Sequence, residues 1–178
     1  MKLELTSLLK NKKALVGGSS DGIGKAIAPK LAASGARVTL LSHSEEKLQH
    51  IVAKLPKDQG QQHQYLVVDF NDFRGYRNII TDYFEHNSVD ILVNNTQGPA
   101  AGGALEKKVS DYQEAFDLLF KTVVFTSELA LKHMIENNWG RIINVASITV
   151  REPLNYLALS NSLRSALVSW GKSLAIDI

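Results

Sequence analysis

The sequence contains no cysteine, and this absence excludes three kinds of chemistry at once. Disulfide bonds, zinc sites with thiolate ligands and cysteine nucleophiles all require that residue. An absence of cysteine also fits a reducing compartment, so we expect a cytoplasmic protein.

A strong excess of charge and long apolar runs are missing as well. The chain carries 20 basic and 18 acidic residues, and the basic ones are dispersed rather than clustered, which argues against a nucleic-acid partner. No apolar run is nearly long enough to span a membrane, so we expect no membrane partner. Residues 1–5 also lack the long apolar segment of a signal peptide. With ordinary glycine and proline content, residues 1–178 are predicted to form a single domain.

Short apolar runs alternate with longer amphipathic segments. The predicted strands are 14–16, 37–41, 65–69, 89–93 and 141–145. Nearly all-apolar strands that alternate with helices predict a parallel sheet covered on both faces. We therefore predict an α/β fold, a Rossmann-type doubly wound parallel sheet, whose ligands bind beyond the carboxyl ends of the strands.

Apolar spacing and capping residues indicate the helices. The first helix should place Ile23, Ile27 and Leu31 on one apolar face, and the second should begin after a capping serine, Ser44. A long helix is expected over 110–137, and the last is expected from about residue 154 to the end.

A glycine-rich turn joins the first predicted strand to the first predicted helix. Glycines permit a tight turn and let backbone amides approach a pyrophosphate, while the helix N-terminus supplies N–H groups without partners. The alternative is a structural turn that binds nothing. We interpret the turn as a dinucleotide site, with contacts expected from Gly18, Ser20, Asp21, Gly22, Ile23 and Gly24.

The second predicted strand is followed by Ser42 and His43, where an acid would bind the ribose 2′-hydroxyl of NAD. A hydroxyl and an imidazole suit a 2′-phosphate better, so NADP(H) is favoured over NAD(H). His43 adds positive charge only when it is protonated. The alternative is that both are loop residues without a ligand.

These features together resemble the short-chain dehydrogenase/reductase superfamily over the whole chain. The glycine turn corresponds to the family's cofactor motif, with Gly17 in place of the usual threonine. Asp69 stands where the family has an acid near the adenine ring. The stretch 94–98 resembles the Asn-Asn-Ala-Gly segment beside the cofactor, which implies that Asn95 and Thr96 contribute to cofactor binding.

Residues 141–147 resemble the strand that delivers the family's catalytic serine. In the family, a tyrosine donates a proton, a lysine four residues later lowers its pKa, and an asparagine of the long helix completes a water relay. Here the serine is Ser147, but Ser160 stands at the tyrosine position, Arg164 at the lysine position and Leu119 at the asparagine position. A divergent branch similar to 3-oxoacyl-(acyl carrier protein) reductases carries the same Ser-Asn-x-x-Arg pattern.

The altered positions suggest modified roles. We expect Ser147 to polarise the substrate oxygen, Ser160 to contact the substrate, and Arg164 to clamp a ribose or the substrate. Tyr156 is a hypothetical displaced acid, because it would share a helix face with Ser160 and Arg164 if the last helix included it. Otherwise Tyr156 is a surface or interface tyrosine at the start of the helix. No metal site is expected, since the histidines lack ligand spacing.

The resemblance implies an NADP(H)-dependent oxidoreductase that reduces a small-molecule or acyl-carrier-linked carbonyl substrate and forms a homodimer or homotetramer. Two alternatives remain open: a catalytically inactive dinucleotide-binding protein that acts as a subunit or sensor, and a truncated fragment. Family members usually continue further, so we expect the usual domain to be cut short after the fifth strand and the helix that follows it.

Overall fold

The computed structural model describes residues 8–178, and its strands form a single five-stranded sheet. The strands are β1 Lys13–Val16, β2 Arg37–Ser42, β3 Gln64–Val67, β4 Ile91–Asn94 and β5 Arg141–Asn144. The helices are α1 Gly22–Ala33, α2 Glu45–Lys54, α3 Phe73–His86, α4 Val109–Phe116, α5 Thr122–Glu136 and α6 Ala158–Asp177. A π-helical turn, Asp117–Lys121, joins α4 to α5.

All strand pairs are parallel, in the order β3-β2-β1-β4-β5. The chain first moves from β1 towards β3 and then returns to the other side of β1 with β4. This reversal opens a crevice at the carboxyl ends of β1 and β4, where ligands of such sheets bind. The predicted α/β doubly wound sheet is confirmed.

Alternate residues of the central strands face two separate hydrophobic cores. Leu92 packs in one core with Ile80 of α3, and Val93 packs in the other with Ala28 of α1 and Leu48 of α2. Successive side chains of a strand point to opposite faces, so a strand covered on both faces is apolar throughout. This explains the continuous apolar runs in the sequence.

The predicted apolar face of α1 is wrong in detail. Ile23 is 56% exposed, whereas Ala28 and Ala32 are fully buried against the sheet. Ile27 and Leu31 lie at the margin of the same core. Small residues allow a helix to lie close to the sheet, so the buried face of α1 is rotated from the branched side chains towards the alanines.

Several element boundaries also differ from the prediction. β3 ends at Val67, so Asp69 lies in the loop beyond it, and α6 begins at Ala158 rather than near residue 154. Ser44 occupies the N-cap position of α2 but makes no capping hydrogen bond through its side chain.

No helix within residues 8–178 is both long enough and apolar enough to cross a membrane. The prediction about a signal peptide concerns residues 1–5, which lie outside the described residues.

His63 joins the start of β2 to the loop that precedes β3. Its Nδ1 accepts a hydrogen bond of 3.1 Å from the backbone N–H of Val38, so its proton is on Nε2, which donates to the carbonyl of Pro56 at 2.8 Å. Burial lowers the pKa of His63 below its ordinary 6.5, and the nearby Lys57 and Arg37 act in the same direction. The ring is therefore held neutral as a structural link.

We expect a His63→Ala substitution to lower the free energy of unfolding at pH 7.5 by about 1–3 kcal/mol, because the N–H of buried Val38 loses its acceptor. The unfolded chain binds the proton of His63 more readily than the folded chain, so the wild type loses stability as the pH falls below about 6.5. The difference between the two proteins should narrow from pH 7.5 to pH 5 in urea unfolding. A constant difference would contradict the role of the neutral ring. The exposed His50, changed to alanine, is the control.

Candidate cofactor and active site

The glycine turn lies over the carboxyl ends of the central strands. The N–H of Gly17 donates to the carbonyl of Val93 at 3.0 Å, and the N–H of Ser19 donates to the carbonyl of Leu41 at 3.0 Å. These bonds connect the turn to β4 on one side and to β2 on the other. The turn is therefore placed at the crevice that the strand order creates.

Three glycines of the turn have separate steric requirements. Gly18 and Gly22 have φ values of +56° and +53°, in the left-handed region that side chains disfavour. A Cβ at Gly24 would collide with the carbonyl groups of Gly17 and Gly18, whereas a Cβ at Gly22 would meet no atom within 4 Å. The turn is therefore closed against α1 and open on its outer side, as the approach of a pyrophosphate to its amides requires.

Asn95 fixes the turn from the end of β4. Its Nδ2 donates to the carbonyl of Gly17 at 3.2 Å and lies 3.5 Å from the carbonyl of Gly18. The neighbouring Thr96 donates to the carbonyl of Gln97 at 3.1 Å. Asn95 thus holds the glycine turn in shape, while Thr96 stabilises the loop beside it.

Asp21, at the N-cap of α1, forms an ion pair of 2.6 Å with Lys47 of α2 instead of capping its own helix. The hydrogen bond from Lys47 lowers the pKa of the Asp21 carboxyl, and the positive charges of Lys25 and His43 contribute. Both partners are exposed. The pair lines a cavity of about 350 Å³ together with Ser20 and Lys25. Sequence reasoning missed Lys47, because nothing local to α2 indicates a partner in the glycine turn.

The two residues predicted to select the cofactor differ in accessibility. Ser42 is only 3% exposed and its Oγ accepts a 3.4 Å hydrogen bond from the N–H of Ser44, whereas His43 is exposed. Asp69 is also exposed and accepts hydrogen bonds from the backbone and side chain of Asn71, at 2.8 and 3.1 Å. Both bonds go to Oδ1 of Asp69, so this oxygen is engaged within its own loop.

A buried amide network that the sequence did not indicate connects β4, β5 and α5. Nδ2 of Asn94 donates to Oδ1 of Asn144 at 2.8 Å and to Oγ of Ser127 at 3.1 Å. Buried polar groups of this kind are costly unless they are paired, and a paired network rigidifies its surroundings. It holds together the strand ends that carry Asn95 and Ser147.

Ser147 follows β5 and caps a short 3₁₀ turn, Ile148–Val150. Its Oγ accepts a hydrogen bond of 3.2 Å from the N–H of Thr149. Because a hydroxyl has one proton to donate, this bond leaves the proton of Ser147 available for another acceptor. Thr149 itself is buried, so the turn is packed rather than free in solvent.

Ser160 and Arg164 lie one turn apart at the start of α6. Ser160 is 8% exposed, and Nη1 of Arg164 donates to the carbonyl of Val145 at 2.5 Å. Burial lowers the pKa of Arg164 below its usual value, yet a guanidinium remains charged at neutral pH. The structure thus brings Arg164 to the end of β5, two residues before Ser147.

The hypothesis that Tyr156 shares a helix face with Ser160 and Arg164 is wrong. Tyr156 precedes α6, is 56% exposed, and its carbonyl accepts a hydrogen bond of 2.7 Å from the N–H of Gly102. The same glycine accepts a hydrogen bond of 3.1 Å from the N–H of Ala158. Tyr156 lies in a turn closed by the hydrogen bond from the N–H of Leu157 to the carbonyl of Leu154, and Leu157 pairs with Gly102, so the helix begins only at Ala158.

Leu119 occupies the place expected for the asparagine of the water relay. It lies in the π-helical turn, is 2% exposed and packs in the core that contains Leu118 and Leu163. An aliphatic side chain cannot hold or pass a proton. Position 119 therefore contributes packing and no proton relay.

The open glycine turn at the switch point of a parallel sheet defines a nucleotide-binding protein of the Rossmann type. The family model of the short chain dehydrogenases matches residues 12–178. The chain belongs to this family.

Known relatives agree with that assignment. An uncharacterised oxidoreductase of Staphylococcus epidermidis is 30% identical over 175 residues, which are 96% of this chain and 73% of the relative. The structure of a 3-oxoacyl-(acyl-carrier-protein) reductase from Agrobacterium tumefaciens with NADP bound matches with a TM-score of 0.88 and 27% identity, over 99% of this chain and 68% of that one. L-Sorbose reductase from Gluconobacter frateurii, complexed with NADPH and L-sorbose, matches with a TM-score of 0.86 and 28% identity. The match covers 97% of this chain and 65% of that one.

Proposed function

We propose that the protein is an NADP(H)-dependent oxidoreductase that reduces a carbonyl substrate at an altered catalytic site, as a homodimer or homotetramer. The glycine turn carries this proposal: it is closed against α1 by Gly24 and open at Gly22, beside the strand ends that carry Asn95 and Ser147. NADP(H)-bound relatives support the choice of cofactor.

The residues at the end of β5 and the start of α6 would act on the substrate oxygen. The cofactor, when bound, supplies the hydride that the carbonyl carbon accepts. Ser147 donates its free hydroxyl proton as a hydrogen bond to the carbonyl oxygen, because the N–H of Thr149 already occupies an acceptor site on its Oγ. Ser160 supplies a second hydroxyl, one helical turn before Arg164 on α6. Neither serine is an acid of phenol strength, so the proton that completes the alcohol comes from water.

The substrate class follows from the relatives rather than from a pocket. One acts on L-sorbose, and another is a reductase of 3-oxoacyl groups. We therefore propose a small ketone or a 3-oxoacyl thioester as the substrate. L-Sorbose and an acetoacetyl thioester are the first compounds to test, with consumption of NADPH as the measured signal.

A second candidate function is binding of the dinucleotide without catalysis, as a subunit or sensor. The observations that favour it are buried Leu119 and exposed Tyr156, since neither supplies the acid or the relay of the family's reaction. A protein of this kind binds NADPH but does not consume it with any compound of the panel.

The test of cofactor binding is thermal unfolding of the chain with and without saturating NADPH, and then with NADH. A ligand at one hundred times its dissociation constant adds about 2.7 kcal/mol to the stability, which gives a clear shift of the midpoint. A shift with NADPH supports the cofactor site. No shift with either nucleotide contradicts both candidate functions.

The Asp21–Lys47 pair leads to a prediction about cofactor preference. An Asp21→Asn substitution should strengthen NADPH binding relative to NADH by roughly three- to tenfold, because it would remove a negative charge from the cavity proposed to hold the adenosine 2′-phosphate and release Lys47 to bind that phosphate. Lys47→Gln should weaken NADPH binding relative to NADH. Dissociation constants measured by nucleotide fluorescence at low and high salt check both, and the effect should shrink at high salt.

The matched control is Lys54→Gln at the other end of α2, which removes the same charge away from Asp21. Equal ratios of the NADPH and NADH dissociation constants in all four proteins would show that the pair takes no part in the preference.

A further inference from the structure

The side chain of Arg164 makes its hydrogen bond to the backbone at the carboxyl end of β5. Nη1 donates to the carbonyl of Val145, the residue directly after β5, at 2.5 Å. Within residues 8–178, no carboxylate forms an ion pair with Arg164. The guanidinium is half-buried, and the strand-end carbonyl is the acceptor that the structure gives it.

Both the backbone N–H and the backbone carbonyl of Val145 form hydrogen bonds. Its N–H donates to the carbonyl of Asn94 in the neighbouring strand at 2.9 Å, and its carbonyl accepts from Arg164. β5 ends at Asn144, and no backbone N–H of the described residues donates to the carbonyl of Val145 just beyond it. A half-buried backbone acceptor needs a partner, and here a side chain of α6 provides it.

Ser147 comes two residues after this anchor. The chain between them spans no more than about 7 Å, so the position of the Val145 carbonyl limits where the serine can lie. On the other side of Ser147, the 3₁₀ turn Ile148–Val150 packs against α6 and donates an N–H to its Oγ. The serine hydroxyl thus lies between two contacts with α6: the hydrogen bond of Arg164 to Val145 before it, and the packing of the 3₁₀ turn after it.

We propose that Arg164 is a positioning residue for Ser147, which holds the carboxyl end of β5 to α6 and thereby fixes the serine hydroxyl, rather than a clamp on the cofactor ribose. This inference rests on the proposed function, because it gives Arg164 a role in the same site. Arginine suits this role because its planar group carries five N–H donors and reaches further than an ammonium group, so one donor binds the carbonyl while the charge persists.

The first experiment compares Arg164→Met with Lys172→Met, which removes an exposed cation from the same helix. In hydrogen exchange, the amides of residues 145–150 should exchange about tenfold faster in Arg164→Met than in the wild type, because the strand end loses its anchor. Lys172→Met should leave them unchanged. The dissociation constant of NADPH should stay within about twofold of the wild type in both variants, since the inference replaces the ribose contact first expected of Arg164 with a contact to the strand end.

The second experiment separates positioning from general support of the fold. Arg164→Met should lower kcat by about tenfold with little change in the KM for NADPH, but cause no further loss in a Ser147→Ala background, because Arg164 acts through that hydroxyl. Arg164→Lys should restore part of the exchange protection and part of kcat.

The inference is overturned by unchanged exchange at 145–150, by a tenfold weaker binding of NADPH in Arg164→Met, or by kcat losses that add in the double variant. Failure of the proposed function would give a different result: the wild type itself would neither bind NADPH nor consume it. In that case the exchange comparison still decides whether Arg164 anchors the strand.

Discussion

A Gly24→Ala substitution is expected to abolish the stabilisation of this protein by NADPH. The added Cβ collides with the carbonyl groups of Gly17 and Gly18, which are backbone atoms that cannot move without opening the cofactor turn. Saturating NADPH should raise the stability of the wild type by about 2.7 kcal/mol and that of the variant by nothing. Thermal unfolding with and without the nucleotide measures both.

Because Gly24→Ala also lowers the stability of the free protein, a second pair of variants keeps the prediction testable. Gly22 and Gly60 have φ values of +53° and +78°, and a Cβ at either meets no atom within 4 Å. Each alanine should therefore cost about 1–2 kcal/mol through backbone strain alone. Only Gly22 lies in the cofactor turn, so Gly22→Ala should lose the NADPH shift and Gly60→Ala should keep it. An equal shift in both would contradict the assignment of the turn.

The fold could be predicted from the sequence because its signals are local and repeated. Each strand is an apolar run of a few residues, and each is followed by a longer amphipathic segment. The predicted face of α1 failed for a reason that periodicity cannot reveal, since the distance of a helix from its sheet decides whether Ile23 or Ala28 is buried. Hydrophobicity alone favours the isoleucine, but where α1 packs closely on the sheet the buried positions hold alanines.

Much less of the candidate site could be predicted. The resemblance to the family led to Ser147, Ser160 and Arg164, but it says nothing about which acceptor a long side chain reaches. The contact from Arg164 to Val145 and the pair of Asp21 with Lys47 join residues 19 and 26 positions apart, across separate elements. Such contacts depend on tertiary geometry. Tyr156 shows the same limit, because a backbone pairing with Gly102 delays the start of α6.

A Ser147→Ala substitution is expected to lower kcat for the best carbonyl substrate by about 100- to 1000-fold, the usual loss when one donor to a developing oxyanion is removed. Binding of NADPH should remain, because the serine is assigned to the substrate oxygen. The free energy of unfolding should fall by about 1 kcal/mol, since the N–H of Thr149 loses its acceptor. Turnover, NADPH fluorescence and urea unfolding measure the three quantities.

Ser162→Ala is the matched control, because Ser162 lies exposed on α6 and its hydroxyl bonds only to the carbonyl of Ala158 in its own helix. Ser147→Thr retains a hydroxyl on the same side-chain carbon, Cβ, and should recover part of the activity. If Ser147→Ala retains full turnover, the proton of Ser147 does not reach the substrate and the oxygen must be polarised by Ser160 or by water. If the wild type binds NADPH yet reduces nothing in the panel, the free hydroxyl has no reaction to serve, and the protein binds the dinucleotide as a sensor or subunit.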